Sequence, residues 1–138
     1  KVLKFEIITG IVILVIEDSE IARRGIVFTI NDLGFKTDEA ADGIAGFTKA
    51  KATQYAAIIM DVQLPGLSGI ECTRKIREFE KEAGIKPTQI LGFTAADDFQ
   101  AVKEVCLSAG MNDCLPKSSP PLMLKQMIKE FALEPAGL

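Results

Sequence analysis

Three of the five apolar segments in this 138-residue chain have continuously apolar runs, IVILVI (Ile11 to Ile16), AAIIM (Ala56 to Met60) and, after Gln89, ILGF (Ile90 to Phe93). A strand on a half-exposed sheet alternates apolar and polar residues, whereas an unbroken apolar strand needs cover on both faces, the condition of central strands in a helix-flanked parallel sheet. The five segments are Ile11 to Ile16, Phe35 to Ala40, Tyr55 to Met60, Gln89 to Phe93 and Asn112 to Leu115, and helical patterns separate them. Alternation of this kind implies an α/β domain built on a parallel sheet. Phe35 to Ala40, the most polar segment, belongs at an edge.

The helices carry their own boundaries. Ser19 is placed to cap a helix ending at Gly34, and Asp42 one running to Ala52. Ser68 followed by Glu71 has capping-box spacing, and Cys72, Ile76, Phe79 and Ala83 recur at helical spacing behind it before Gly84 and Pro87. The charged face from Arg74 to Glu82 reads as a solvated surface. Phe99, Val102, Cys106 and Ala109 form a further stripe, and Leu124, Met127, Ile128 and Phe131 a last one, entered through Ser119 and Pro120. Residues 11–133 thus make one domain; residues 1–10 are assigned as an extension or linker and 134–138 as a tail.

Composition removes several kinds of function. The chain has no histidine, which excludes Ser-His-Asp and Cys-His triads, His-ligated zinc and a phosphohistidine of its own. Its net charge is −3, with basic residues interspersed among acids, against a nucleic-acid surface. Three widely spaced cysteines, Cys72, Cys106 and Cys114, suit reduced structural thiols and a cytoplasmic location. The longest apolar run, Ile7 to Ile16, is interrupted by Thr9 and Gly10 and is about half a bilayer span, so no membrane segment is expected.

Ligands of open parallel sheets bind beyond the carboxyl ends of the strands. At those ends stand Glu17 and Asp18, Asp61, Thr94 and Lys117. Three carboxylates at close quarters repel unless a cation joins them, and a hard divalent ion such as Mg²⁺ accepts such oxygen ligands together with phosphate oxygens. Asp can then serve as nucleophile toward phosphorus, with the Thr hydroxyl and Lys ammonium meeting the other phosphoryl oxygens. Each residue also has an ordinary reading: Asp18 as a helix start, Asp61 as a turn former before Leu64-Pro65-Gly66, Lys117 as a surface lysine. Their coincidence at four strand ends favours phosphoryl transfer.

VIEDSE, IIMDVQLPGLSG, GFTA and NDCLPKS resemble the receiver domains of two-component response regulators, with MDVQLPGLSGIE the most specific stretch and the likeness running from Ile11 to Phe131. The resemblance implies a flavodoxin-like (CheY-like) doubly wound sheet of five parallel strands, order 2-1-3-4-5, with five helices. It further implies that Glu17, Asp18, Asp61 and the Gln63 carbonyl hold Mg²⁺, that Asp61 is phosphorylated, and that Thr94 and Lys117 bind the phosphoryl oxygens. The donor would be a histidine kinase or histidine phosphotransfer domain, and the recipient of the signal an effector domain or protein. REFEKEAG and AGMNDCL look like receivers of hybrid histidine kinases. The chain departs from the family pattern where Cys114 stands in place of an aromatic residue, and where Pro116 precedes the lysine instead of following it. The rival readings are a receiver-like interaction module that accepts no phosphate, and a phosphohydrolase of the haloacid dehalogenase type. The latter needs Asp-x-Asp after the first strand, where this chain has Asp18-Ser19-Glu20.

Overall fold

The computed structural model describes residues 11–133, so the extension and tail expected at 1–10 and 134–138 lie outside it. Five strands alternate with five helices: β1 (Val12–Ile16), α1 (Glu20–Asp32), β2 (Lys36–Ala40), α2 (Gly43–Ala52), β3 (Ala57–Asp61), α3 (Gly69–Ala83), β4 (Gln89–Thr94), α4 (Phe99–Ala109), β5 (Asp113–Pro116) and α5 (Pro121–Leu133). All pairings are parallel and the order is β2-β1-β3-β4-β5, as expected from the sequence, with polar β2 at an edge.

Successive residues of a strand face opposite sides of a sheet, so the unbroken apolar strands feed two cores at once. Leu14, Ile16, Ile58, Met60 and Ile90 pack on one side with Cys72 and Ile76 of α3 and Cys106 of α4. Ile13, Val15, Ile59, Leu91 and Phe93 pack on the other with Ile30 of α1 and Leu124, Ile128 and Ala132 of α5. Each such Ile or Leu, fully buried, contributes about 1.5–3 kcal/mol. The two layers hold the strand ends rigidly, and those ends form the site.

The capping signals act as read. The Ser19 hydroxyl accepts from the Ala22 amide at 3.2 Å, the Asp42 carboxylate from Ala45 at 2.7 Å, and Ser68 and Glu71 close a reciprocal capping box. Helix α1 stops at Asp32, two residues before the expected Gly34, whose φ of 95° turns the chain toward β2. Helix α5 begins at Pro121, directly after the expected entry through Ser119 and Pro120.

One expectation is overturned. The charged face of α3 is not all solvated, and Ala83 of its apolar stripe is exposed. Arg74, Glu78, Lys81 and Glu82 are exposed, but Glu80 is 4% exposed. Its carboxylate accepts from Arg77 Nη1 at 2.8 Å and from the Thr88 amide at 2.7 Å. The Arg77 guanidinium also donates to the Gly110 carbonyl at 2.9 Å and to Asn112 Oδ1 at 3.0 Å, and the same Oδ1 accepts from the Ile90 amide at 2.8 Å. These bonds tie the end of α3 to the start of β4 and the α4–β5 turn, and they satisfy a carboxylate whose burial alone would be costly.

Candidate functional site

Because the strands are parallel and in register, their carboxyl ends share one edge: Ile16 lies beside Met60, Asp61 beside Phe93, and Thr94 beside Pro116. Each polar residue expected there is the last member of a strand or one or two steps beyond it. Glu17 follows β1 and extends the ladder by donating its amide to the Ala40 carbonyl at 3.1 Å. Asp61 and Thr94 close β3 and β4, and Lys117 follows β5, its amide donating to the Thr94 carbonyl at 2.8 Å.

Glu17 and Asp61 are buried and Asp18 is exposed, and each offers a carboxylate oxygen within 4.8 Å of the others. The Lys117 ammonium bridges two of them, 2.8 Å from Glu17 Oε1 and 3.2 Å from Asp61 Oδ2. Glu17 Oε2 accepts from the Ser19 amide at 3.0 Å, but buried Oε1 accepts no well-aligned hydrogen bond: Lys117 is within ion-pair distance and off the axis. Burial, with the neighbouring Glu17 adding to it, raises the Asp61 carboxyl to about 7 against the opposing field of Lys117 and the Gln63 amide. For Lys117, burial works against the charge, but the close contact with Glu17 and the fields of Asp61 and Glu17 outweigh it, and its pKa is raised.

The loop after β3 is built to hold Asp61. The Gln63 amide donates to Asp61 Oδ1 at 3.1 Å, Val62 and Leu64 are buried beneath it, and Gly66, at a φ of 72°, adopts the left-handed turn that returns the chain to α3. At the start of α3 the Gly69 amide donates to the Val62 carbonyl at 3.0 Å, and a Cβ on Gly69 would collide with the Asp61 carbonyl oxygen. Gly69→Ala therefore forces the β3–α3 loop and the helix apart. The expected cost is about 1–3 kcal/mol of folding stability in urea denaturation; a change within a few tenths would refute the close fit.

Thr94 is 1% exposed. Its hydroxyl accepts from the Ala96 amide at 3.0 Å and makes a long 3.5 Å contact with Gln63 Oε1. All six residues singled out from the sequence thus share one strand edge. Two features of the site carried no sequence signal that could have found them: the tight seat of Gly69, and Arg23, whose guanidinium donates to the Glu17 carbonyl at 2.8 Å. Both depend on how the short loops after β1 and β3 turn back on themselves, which no helical or strand period records.

Residues 13–129 match the family model described as "Response regulator receiver domain". The chain belongs to that family. This receiver is 35% identical over 129 residues to the osmosensing histidine protein kinase SLN1 of Saccharomyces cerevisiae, covering 89% of this chain and 10% of that protein. Among solved structures, it superimposes with a TM-score of 0.85 and 31% identity on a chain of the co-crystal structure of the S. cerevisiae histidine phosphotransfer protein Ypd1 with the receiver domain of Ssk1, covering 91% of each chain. It also resembles the receiver domain of sensor histidine kinase PA1611 from Pseudomonas aeruginosa, solved with magnesium in the active-site cleft: TM-score 0.77, 34% identity, 89% of this chain and 98% of that one. The chain spans 5–11% of the length of the first curated relatives it matches.

Both departures of this receiver from the family pattern have a local physical setting. Pro116 ends β5, an edge strand whose last residue tolerates the missing amide hydrogen, and every peptide bond among the described residues is trans. Cys114 is 1% exposed, paired with Gly92, where a Cβ would strike Met111 Sδ, so sulfur atoms fill the inner side of β4 and β5. All three cysteines are free and buried, and burial pushes the Cys72 thiol up to about 12, as suits structural thiols. No helix among the described residues is long and apolar enough to cross a membrane.

Proposed function

We propose that this receiver takes a phosphoryl group from a phosphohistidine onto Asp61 in a two-component phosphorelay, and that Thr94 and Lys117 complete the site. The observation that carries the reading is the buried Glu17–Asp61 pair bridged by Lys117 beside exposed Asp18. An Asp61 oxygen forms the O–P bond as the P–N bond to the donor histidine breaks, the electron pair leaving with the imidazole nitrogen. Lys117 and the Thr94 hydroxyl then face the charge spread over the remaining phosphoryl oxygens.

The residues fit a divalent ion. Glu17 Oε1 is buried without an aligned hydrogen bond, in a carboxylate cluster with a single lysine bridging it. Glu17, Asp18, Asp61 and the Gln63 carbonyl would hold Mg²⁺. Bound there, Mg²⁺ supplies positive charge and fixed coordination to phosphoryl oxygens. A histidine phosphotransfer domain or histidine kinase is the proposed donor, supported by the phosphotransfer complex among the structural relatives and the kinases among the sequence relatives. The proposed setting is the cytoplasm, consistent with three free buried thiols.

Intact mass after incubation with acetyl phosphate or phosphoramidate tests the reading. One added phosphoryl group is expected with Mg²⁺ and none in EDTA. A folded protein that gains nothing from either donor in Mg²⁺ would be an interaction module instead.

The Asp61 shift also predicts a pH dependence. The folded state keeps a proton on Asp61 up to about pH 7 that the unfolded state loses near its ordinary 3.8, so stability is lost as pH rises between those values. In EDTA, the melting temperature of wild type relative to Asp61→Asn should fall from pH 5 to pH 8, and added Mg²⁺ should restore more at pH 8. A pH-independent difference between the two would refute the assignment.

A further inference from the structure

We infer that Arg23 is a positioning residue for the metal-binding edge of this site, an inference that rests on the function proposed above. Arg23 lies in the first turns of α1, its own amide donating to the Ser19 carbonyl at 2.8 Å. Its side chain, 17% exposed, turns back over the start of the helix. Nη1 donates to the Glu17 carbonyl at 2.8 Å and Nε to Glu39 Oε1 at 2.9 Å, the latter near the end of β2. The planar guanidinium serves both acceptors from one rigid fork, which an ammonium cannot reproduce.

The residue so held is the one whose carboxylate is most deeply set in the cluster. Glu17 is 1% exposed, and its polar groups are fixed one by one: the amide by the Ala40 carbonyl, the carbonyl by Arg23, and Oε2 by the Ser19 amide. Oε1 remains for the cluster. With the backbone pinned on both sides of Cα, the carboxylate has little freedom to recede. Without Arg23 the Glu17 carbonyl would lack this partner, and the β1–α1 loop carrying Glu17 and Asp18 would keep the Glu17 amide bond to Ala40 of β2 but lose the guanidinium bridge to Glu39. Partners of this kind, which orient a ligand without touching the metal, typically alter metal affinity 10–100-fold.

Charge and geometry pull in opposite directions here, which makes the inference decidable. Arg23 is a cation beside a cation site, so deleting its charge should by Coulomb's law tighten Mg²⁺ binding. Loss of positioning should weaken it. Mg²⁺ affinity by isothermal titration calorimetry, together with urea unfolding in EDTA, is to be measured on wild type, Arg23→Gln, Arg23→Lys, Glu39→Gln and Arg23→Gln/Glu39→Gln. The expected result is about tenfold weaker Mg²⁺ binding in Arg23→Gln. Arg23→Lys, which keeps the charge and can serve one acceptor, should weaken it less. Glu39→Gln should act in the same direction, and the double variant should fall short of the sum. Unchanged or tighter Mg²⁺ binding in Arg23→Gln, with only its unfolding curve shifted, would overturn the inference and leave Arg23 a stabilising contact. Absence of Mg²⁺ binding in wild type would overturn the proposed function itself and this inference with it; binding by wild type that the variants share would overturn this inference alone.

Discussion

Replacing Asp61 with Asn should reduce phosphoryl incorporation to background and, in the absence of Mg²⁺, make the domain more stable above pH 7. The first effect follows because the amide oxygen of Asn is a poor nucleophile toward phosphorus, and no other carboxylate among the described residues combines the burial of Asp61 with its place against Lys117 and the Gln63 amide. The second follows from the resting site. Asp61 is 3% exposed, and burial and Glu17 push its carboxyl up to about 7, so ionising it above that pH works against the fold. Asn keeps the shape, still accepts from the Gln63 amide, and leaves Lys117 with Glu17 as a single pair. A gain on the order of 1–3 kcal/mol is expected from removing the buried like charge. Intact mass spectrometry and urea unfolding at pH 8 measure the two effects on one sample. Labelling of Asp61→Asn at the wild-type rate would show that the acceptor lies elsewhere.

Arg77→Leu should be the most damaging change outside the site, costing about 3–5 kcal/mol, because it leaves the carboxylate of Glu80 buried without its cation. The Gly110 carbonyl and Asn112 Oδ1 lose a donor at the same stroke. Urea denaturation should show a lower midpoint with an unchanged slope. Pairing it with Glu80→Leu should recover part of the loss, since no charge is then stranded, but only part, since the Thr88 amide would still lack its acceptor. A cost for Arg77→Leu below about 1 kcal/mol, the range of a surface ion pair, would mean that the network contributes little.

The contrast between these two positions shows what can be read from such a sequence. Asp61 was legible because an unbroken apolar strand must be central, and a carboxylate at its end must face the ligand edge of a parallel sheet. Glu17, Asp18, Thr94 and Lys117 followed by the same logic, and so did the helix starts at Ser19, Asp42 and Ser68. Arg77 and Glu80 looked like any charged face of an amphipathic helix. Their burial depends on the chain after Gly84 folding back to place Thr88 over Glu80, and on Gly110 and Asn112 arriving from the far end of α4. Arg23 and Gly69 were silent for a nearer reason, since each meets its site partner across a short loop whose path no period records. Helical and strand periods describe a segment's relation to a core; they carry nothing about which polar group of a distant loop will meet it. Pro116 was read only as a departure, and became intelligible once β5 was seen to be an edge strand.

The position of Lys117 has a consequence for how quiet the domain is at rest. Its ammonium touches both Glu17 and Asp61, so Asp61 already has an internal counter-ion. Any group adding to Asp61 must draw that ammonium away from one carboxylate, which the long lysine stem allows by rotation, without withdrawing from the site. The same atom that would steady a transferred group therefore rests against the carboxylate proposed to receive it. Such an interlock would tie addition at Asp61 to a rotation of Lys117, for a small phosphodonor as much as for a protein one.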